Sequence, residues 1–385
     1  MSIAIAIIPT VIIGFVIKER ENKLKHLQVV SGVSLTAYWI SNLISDILQA
    51  YVPILIIIFL NYLFNLEYEG VWQLLILYPV SIVPFTYVTS FMFTRDFVAQ
   101  IFTVAIHFFV GGIFPPVIFI VQNVPWTAYL GDSMRWWFTF IPSFCVCEGI
   151  IWSATYETLN IARVGLALVG FDVAQINTNL YAWCNLSGNY AIMLSVGVAG
   201  VALLFVIEAD LFQKCANFSL CGKPTSRPPI VPDSGVEEEQ RRVEQEMVAS
   251  GPVTDESDPS NKLLDTEAKQ DQVKVVNLGK YYSKLCSKPV SAVEKVTFGV
   301  KGGECFALLG VNGAGKSTTF KSLTRDVVPT SGQVRIQGYS VLEDFENARR
   351  FIGYCPQQDA IFHLMTVKEH LWFYSKIKGI KEDMR

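Results

Sequence analysis

Eight consecutive residues near the end of the chain have the types and spacing to grip phosphate: Gly310-Val311-Asn312-Gly313-Ala314-Gly315-Lys316-Ser317. Glycines let successive backbone N–H groups curl around an anion, and a helix starting directly after them offers its positive end. Lys316 has the reach for the outer phosphates, and Ser317 can place a hydroxyl on Mg²⁺. Asn312, Ala314 and Thr318 belong to the same cradle. The pattern G-x-x-x-x-G-K-[ST] is complete, and it stands where the motif requires, between an apolar run and a helical one.

A guanine reader needs Asn-Lys-x-Asp, and the one Asn-Lys pair in the last third, Asn261-Lys262, lies upstream of the loop and is followed by Leu-Leu-Asp. A guanine-specific GTPase is therefore not expected, and a soluble kinase would not carry membrane segments.

The elements that must hold this loop can be read from its neighbours. "AVEKVTFGV" alternates as a half-buried strand, and "GECFALLG", which runs straight into the loop, reads as a buried one. Upstream, from Lys223 to about Asp271, the composition changes. "KPTSRPPIVPDSG" is proline-rich and extended, "VEEEQRRVEQEMV" has a charged helical rhythm, and "ASGPVTDESDPSN" breaks it. This segment is expected to be a solvated, partly disordered tether.

The first part of the chain is a different material. Of 65 charged residues in 385, only 20 precede Asn217. A bilayer core about 30 Å thick needs roughly 20 mostly apolar residues in a helix. Ser2–Ile17, Leu35–Phe64, Val71–Phe93, Phe97–Val121 and Tyr190–Phe212 qualify or nearly so. Ser2–Ile17 lacks the basic start of a secretory signal, and its basic residues follow it. An internal cut of a longer protein accounts for it better. Trp136–Trp152 is short, interrupted by Pro142, and carries Glu148, so a re-entrant hairpin arm on the outer side is expected there.

Orientation follows the basic residues. Lys18–Gln28 carries Lys18, Arg20, Lys23 and Lys25 and is expected in the cytoplasm; acidic "NLEYEG" is then outside and "TRD" (94–96) inside. Residues 122–189 fall outside, including the sequon at Asn185, whereas the sequon at Asn217 falls inside. Asp46 is costly within a membrane helix unless it faces protein or water. It is read as a helix-end residue near the cytoplasmic surface, with a polar contact along a substrate path as the alternative.

The net charge of −3 gives no basic surface for nucleic acid. The eight cysteines have no zinc-framework spacing; Cys286, Cys305 and Cys355 read as reduced core thiols. His26, His107, His363 and His370 are dispersed and read as structural.

With these words in place, the sequence resembles the A subfamily of ATP-binding cassette transporters, in the second half of such a protein. The stretches "KHLQVVSGV", "GECFALLGVNGAGKSTTFKSLT" and "IGYCPQQDAIFHLMTVKEHL" carry the resemblance, which covers nearly the whole chain. It implies a polytopic α-helical membrane domain followed by a partial α/β P-loop NTPase domain. The expected boundaries are 1–221 for the membrane domain (about five spans and the outer hairpin), 222–270 for the linker, and 271–385 for the nucleotide part.

The implied activity is ATP-driven transport of lipids, by an integral multi-pass protein whose nucleotide part is cytoplasmic. Rival readings are a membrane-tethered ATP-binding regulatory module and a non-catalytic fragment. Residue by residue, Tyr282 matches the aromatic that stacks on adenine, with Tyr281 beside it as substitute. Gln357 matches the catalytic-site glutamine that touches Mg²⁺ and the attacking water, with Gln358 as the adjacent alternative. Lys18–Gln28 matches the coupling helix, expected to press near Gln357. Arg325 departs from the family, which usually has glycine there; arginine would be strained if the left-handed helix end persists.

The signature loop, the Walker B aspartate, the catalytic glutamate and the switch histidine of the family would lie beyond Arg385. The first nucleotide-binding and first transmembrane domains of the parent are the implied partners. The chain alone is expected to bind ATP weakly and not to hydrolyse it.

Overall fold

A computed structural model describes residues 2–65, 70–124, 126–168, 186–208, 234–249, 271–282, 290–362 and 364–381. The chain divides into two units, one of residues 1–22 and 35–216, the other of residues 23–34 and 217–385.

The first unit is helical: α1 (Ser2–Glu21), then, beyond α2 of the other unit, α3 (Leu35–Leu63), α4 (Val71–Ser90), α5 (Asp96–Phe108), α6 (Phe114–Asn123), α7 (Ala128–Phe138), α8 (Pro142–Leu168) and α9 (Gly188–Glu208). Among the described residues, four helices are long and apolar enough to cross a membrane: Leu35–Leu63, Val71–Ser90, Asp96–Gln122 and Gly188–Glu208. The third of these includes a π-helical turn, Phe109–Ile113, between α5 and α6. Pro53, Pro79 and Pro84 sit inside these helices, tolerated where neighbouring helices re-satisfy the freed carbonyls. Small residues set the spacing of α4 and α9. A Cβ on Gly197 would meet the Val80 carbonyl oxygen at 3.0 Å, and one on Gly200 would meet Pro84 at 2.9 Å, so the two helices approach closely.

Several buried ionisable groups of this unit have polar partners. Asp46 lies eleven residues past Leu35, about 16 Å along the helix axis, not at its end as the sequence suggested. It is buried, and its carboxylate accepts the Tyr87 hydroxyl at 2.5 Å. Tyr38 donates to Glu19 at 2.5 Å. Arg135 donates to Glu148 at 2.5 Å and to Asn189 at 3.4 Å. The stretch Trp136–Trp152 is not one interrupted element. One helix ends at Phe138, and Pro142 opens the next, because proline suits a first turn whose N–H is unused.

The second unit begins with α2 (Leu24–Ser31). The segment Lys18–Gln28 is therefore divided: α1 runs on to Glu21, and Lys23 adopts a left-handed conformation, φ 61°, before α2 starts. The linker is also partly folded. Helix α10 (Ser234–Ala249) packs on the sheet with Val243 buried. Its Arg242 bonds Glu239, Glu246 and Asp271 at 2.8, 2.9 and 3.0 Å. The charged rhythm thus hides one docking face; the rest of 222–270 lies outside the described residues.

The sheet is antiparallel, in the order β2-β1-β3-β4, with β1 (Asp271–Tyr282), β2 (Val290–Lys301), β3 (Ser331–Ile336) and β4 (Tyr339–Ser340). Val275 opposes Phe298 on one side and Val334 on the other. The core formed by Val275, Leu278, Val293, Phe298, Val334 and Ile336 also takes in Val30 of α2.

"GECFALLG" does not form the expected buried strand. Residues 304–310 belong to no strand or helix, and Cys305 and Leu309 are exposed. A strand buried on both faces needs neighbours along both edges and a layer on each face. Among the described residues the run has a single ring stack, Phe306 on Phe298 at 5.0 Å. Cys305 and Cys355 are accordingly exposed thiols, not core ones. Cys286, His363 and the two sequon asparagines, Asn185 and Asn217, lie outside the described residues.

Candidate functional site

The loop ahead of α11 (Lys316–Leu323) is shaped by its glycines. Gly313 and Gly315 hold φ of 85° and 89°, and Gly315 is the N-cap residue of α11. That conformation disfavours any Cβ. At Gly315 a Cβ would also come within 2.5 Å of the Ala292 carbonyl oxygen and 2.9 Å of Val293 Cγ2, so glycine lets the loop seat directly on β2. Lys316 curls back and donates to the carbonyls of Gly310 and Val311 at 2.6 and 2.8 Å. Its ammonium therefore lies over the loop that an anion would enter. Gly310, Asn312, Gly313, Ala314 and Ser317 are solvent-accessible, while Thr319 is buried and donates to Gly315 O at 3.2 Å. Backbone N–H groups of a glycine-rich turn, a helix start and one cation are a combination suited to phosphate.

Ser317 and Gln357 line one cavity of about 520 Å³, with Lys321, Thr324, Tyr354 and Cys355 among its other walls. Gln358, the adjacent alternative, is not one of its lining residues. Tyr282 closes β1 opposite Val290 and is 42% exposed; it does not line that cavity. Lys280 lies 5.3 Å from the Tyr282 ring centre and donates to Val328 O at 2.7 Å. Burial lowers the Lys280 ammonium pKa below its usual value. Arg325 adopts φ 58°, the left-handed helix end foreseen for it, with its guanidinium 5.3 Å from the Phe345 ring centre.

Helix α2 meets the same region. His26 stacks edge-on against Tyr354 at 5.4 Å, its Nε2 lies 3.3 Å from Thr324 Oγ1, and its Nδ1 lies 3.9 Å from Asp326. Burial holds the His26 pKa below the ordinary value, against the pull of Asp326. Lys23 Nζ reaches the Asp326 carboxylate at 3.2 Å. Arg349 donates to Val29 O and Val33 O at 3.2 and 3.0 Å and pairs with Glu346 at 2.7 Å. Sequence reasoning missed Thr324, Asp326 and Arg349. Their partners are some 300 positions away, and nothing local marks them.

The two other described histidines have ordinary structural duties. His370 Nε2 accepts from Phe362 N at 2.9 Å, with Nδ1 on Thr366 O at 3.0 Å, and His107 bonds Ser143. Among the described residues no cluster of His, Cys, Asp or Glu could hold a metal.

An apolar helical unit and a phosphate loop that opens a helix beside a glutamine-bearing cavity define a membrane protein with an ATP-binding domain. Residues 1–206 match the family described as ABC-2 family transporter protein, and residues 293–385 match the one described as ABC transporter. The chain belongs to the ABC-2 family of transporter proteins, whose members are ATPase-coupled transporters, and its curated relatives are of the A subfamily. It is 30% identical over 390 residues to ATP-binding cassette sub-family A member 2 of Homo sapiens, covering 98% of this chain and 15% of that protein. It is 31% identical over 390 residues to the retinal-specific phospholipid-transporting ATPase ABCA4 of Bos taurus (98% and 16%). To the glucosylceramide transporter ABCA12 of Mus musculus it is 30% identical over 385 residues (96% and 14%). The chain thus spans about one-sixth of the length of these relatives.

Proposed function

We propose that this chain forms the second transmembrane domain and the N-terminal part of the second nucleotide-binding domain of an ATP-driven lipid transporter. The membrane part is multi-pass, over 1–221, and the nucleotide part over 271–385 is cytoplasmic. Of the intervening 222–270, helix Ser234–Ala249 counts with the nucleotide part. Lipid as cargo follows from relatives named for phospholipid and glucosylceramide. The first transmembrane and first nucleotide-binding domains of the parent are the partners.

The observation that carries this reading is the shared cavity of Ser317 and Gln357, with α2 against its Tyr354 wall. In sequence α2 lies between two apolar helices, α1 and α3. Backbone N–H groups of Gly313–Ser317 and the Lys316 ammonium bind and orient the phosphates; Tyr282 is the adenine-stacking candidate. The hydroxyl of Ser317 and the side-chain carbonyl of Gln357 are hard oxygen donors that suit Mg²⁺. Bound there, Mg²⁺ would neutralise charge on the phosphates. Among the described residues no carboxylate lines this cavity, and gripping the ground state does not lower a chemical barrier. The expectation is that the parent binds and hydrolyses ATP, and that the 385-residue chain alone binds it weakly without turnover.

The test is the full-length protein in proteoliposomes, assayed for ATPase activity and for ATP-dependent movement of fluorescent phospholipid and glucosylceramide. Lys316→Ala should lower both. ATP hydrolysis without movement of either lipid would overturn the transport reading.

A further inference from the structure

Tyr282 ends β1 with a half-exposed side chain, and one face of its ring is already taken. The Lys280 ammonium lies over it, 5.3 Å from the ring centre. The negative face of an aromatic ring attracts a cation, and more strongly as the cation loses water. Partial burial of Lys280, which also lowers its pKa, removes some of that water.

The ammonium is fixed as well as placed. A lysine side chain is long and flexible, but here Nζ donates to Val328 O at 2.7 Å. Val328 stands in the segment that joins α11 to β3, and that segment is pinned at both ends. On the α11 side, Val327 N donates to Lys321 O at 3.1 Å. On the β1 side, Thr330 N donates to Gly279 O at 2.8 Å, and Tyr281 N donates to Thr330 Oγ1 at 3.2 Å. Gly279 permits this approach, since a Cβ there would collide with Ser331 Oγ. The carbonyl that holds Lys280 is thus part of the framework that follows the phosphate-loop helix.

We infer that Lys280 is a positioning residue for the nucleotide base: its ammonium, held by Val328 O, backs one face of the Tyr282 ring so that adenine stacks on the other. The cation draws the ring electrons toward itself and leaves the opposite face less negative toward an electron-rich purine. It acts on the base alone, because the phosphates belong to Gly313–Ser317 and Lys316. The inference rests on the proposed stacking of adenine on Tyr282.

The experiment uses the full-length protein in nanodiscs, photolabelled with a dilute ATP derivative that carries an aryl azide on its γ-phosphate. Label is counted only on the 271–385 segment after proteolysis, so that no other nucleotide site contributes. Displacement by ATP reports base and phosphates together, and displacement by tripolyphosphate reports phosphates alone. Lys280→Met keeps the length of the stem and removes the charge. It should raise the ATP concentration needed by roughly three- to tenfold and leave that of tripolyphosphate within about twofold. Lys280→Gln, which keeps a donor without the charge, should behave in the same way. Lys280→Arg keeps a cation suited to an aromatic face and should recover most of the loss.

Wild-type displacement by ATP in both Lys280→Met and Lys280→Gln would overturn the inference. So would equal weakening of ATP and tripolyphosphate, which marks a merely structural role, or a Lys280→Arg variant as weak as Lys280→Met. Tyr282→Leu separates this inference from the reading beneath it. Unchanged ATP displacement in Tyr282→Leu would refute stacking on that ring. Weakened displacement there, beside an unaffected Lys280→Met, would keep the stacking and refute the role of Lys280.

Discussion

The two units handle burial in opposite ways. In the helical unit the outward side chains are oily, such as Leu48, Leu55 and Phe59, and the ionisable groups Asp46, Glu19, Arg135 and Glu148 point inward to partners. In the nucleotide unit Val275, Leu278 and Val334 fill the centre, and charge covers much of the outside. The inversion says which solvent each is built for: hydrocarbon rewards exposed Leu and Phe and penalises any unpaired polar group. It also separates two meanings of an exposed apolar residue. Along α3 exposure fits lipid contact. At Leu371, which lines one cavity with Val367, Lys368 and Trp372, it belongs to an apolar patch in a unit whose outside is otherwise rich in charge.

If that contrast is right, breaking a buried pair in the first unit should give the largest effect. Arg135 and Glu148 have side chains only 10% and 4% exposed. Removing one partner strands the other, at a cost of about 3–5 kcal/mol. Glu148→Ala should lower the thermal midpoint of the full-length protein in nanodiscs sharply, and the double change Arg135→Met with Glu148→Leu should recover much of it. An unaltered midpoint in Glu148→Ala would mean that water reaches this pair.

Charge in the second unit acts on a ligand and should cost less to remove. Lys316→Ala deletes one charge-assisted contact while the backbone cradle stays, so ATP binding should weaken roughly 10- to 100-fold. Titration with a fluorescent ATP analogue checks this; equal affinity would take Lys316 out of the site. Smaller again is the backbone effect at Arg325. A left-handed non-glycine residue costs about 1–2 kcal/mol, partly offset by the extra freedom glycine gains when unfolded. Arg325→Gly should therefore stabilise by about 0.5–1 kcal/mol. A lower midpoint would show that the stack on Phe345 outweighs the strain.

These cases also mark what was readable in the sequence. Gly310–Ser317 stands out in the sequence because its chemistry needs neighbouring residues, and four of the five expected spans because hydrocarbon demands long apolar runs. Arg325 was legible as strained since glycine is what a left-handed helix end prefers. "GECFALLG" misled, because a strand is made by its neighbours and none of the described residues pairs with it. The segment Lys18–Gln28, read as one helix, is divided because the basic residues that mark it straddle a turn at Lys23. Helix Ser234–Ala249 passed for a solvated tether because its docking face is built from Arg242 and its carboxylates, with Val243 as a small apolar anchor. Thr324, Asp326 and Arg349 could not be found at all, since their roles exist only once α2 is folded against them.

The mildest effect expected is a pH dependence at the α2 contact. Burial lowers the His26 pKa, Asp326 raises it, and Lys23 and Lys321 lower it further; Thr324 and Tyr354 complete its surroundings. The folded protein thus takes up a proton less readily at His26 than the unfolded chain, whose value is near 6.5. Stability then rises with pH wherever the unfolded state binds more protons. The contribution is fully present above about 6.5 and is lost as pH falls below it. Comparing thermal midpoints at pH 7.5 and 5.5, wild type should lose more on acidification than His26→Gln, which has no proton to gain. Parallel losses would show that Asp326 cancels the effect of burial, and a greater loss in the variant that Asp326 outweighs it and His26 is charged against it in the folded protein.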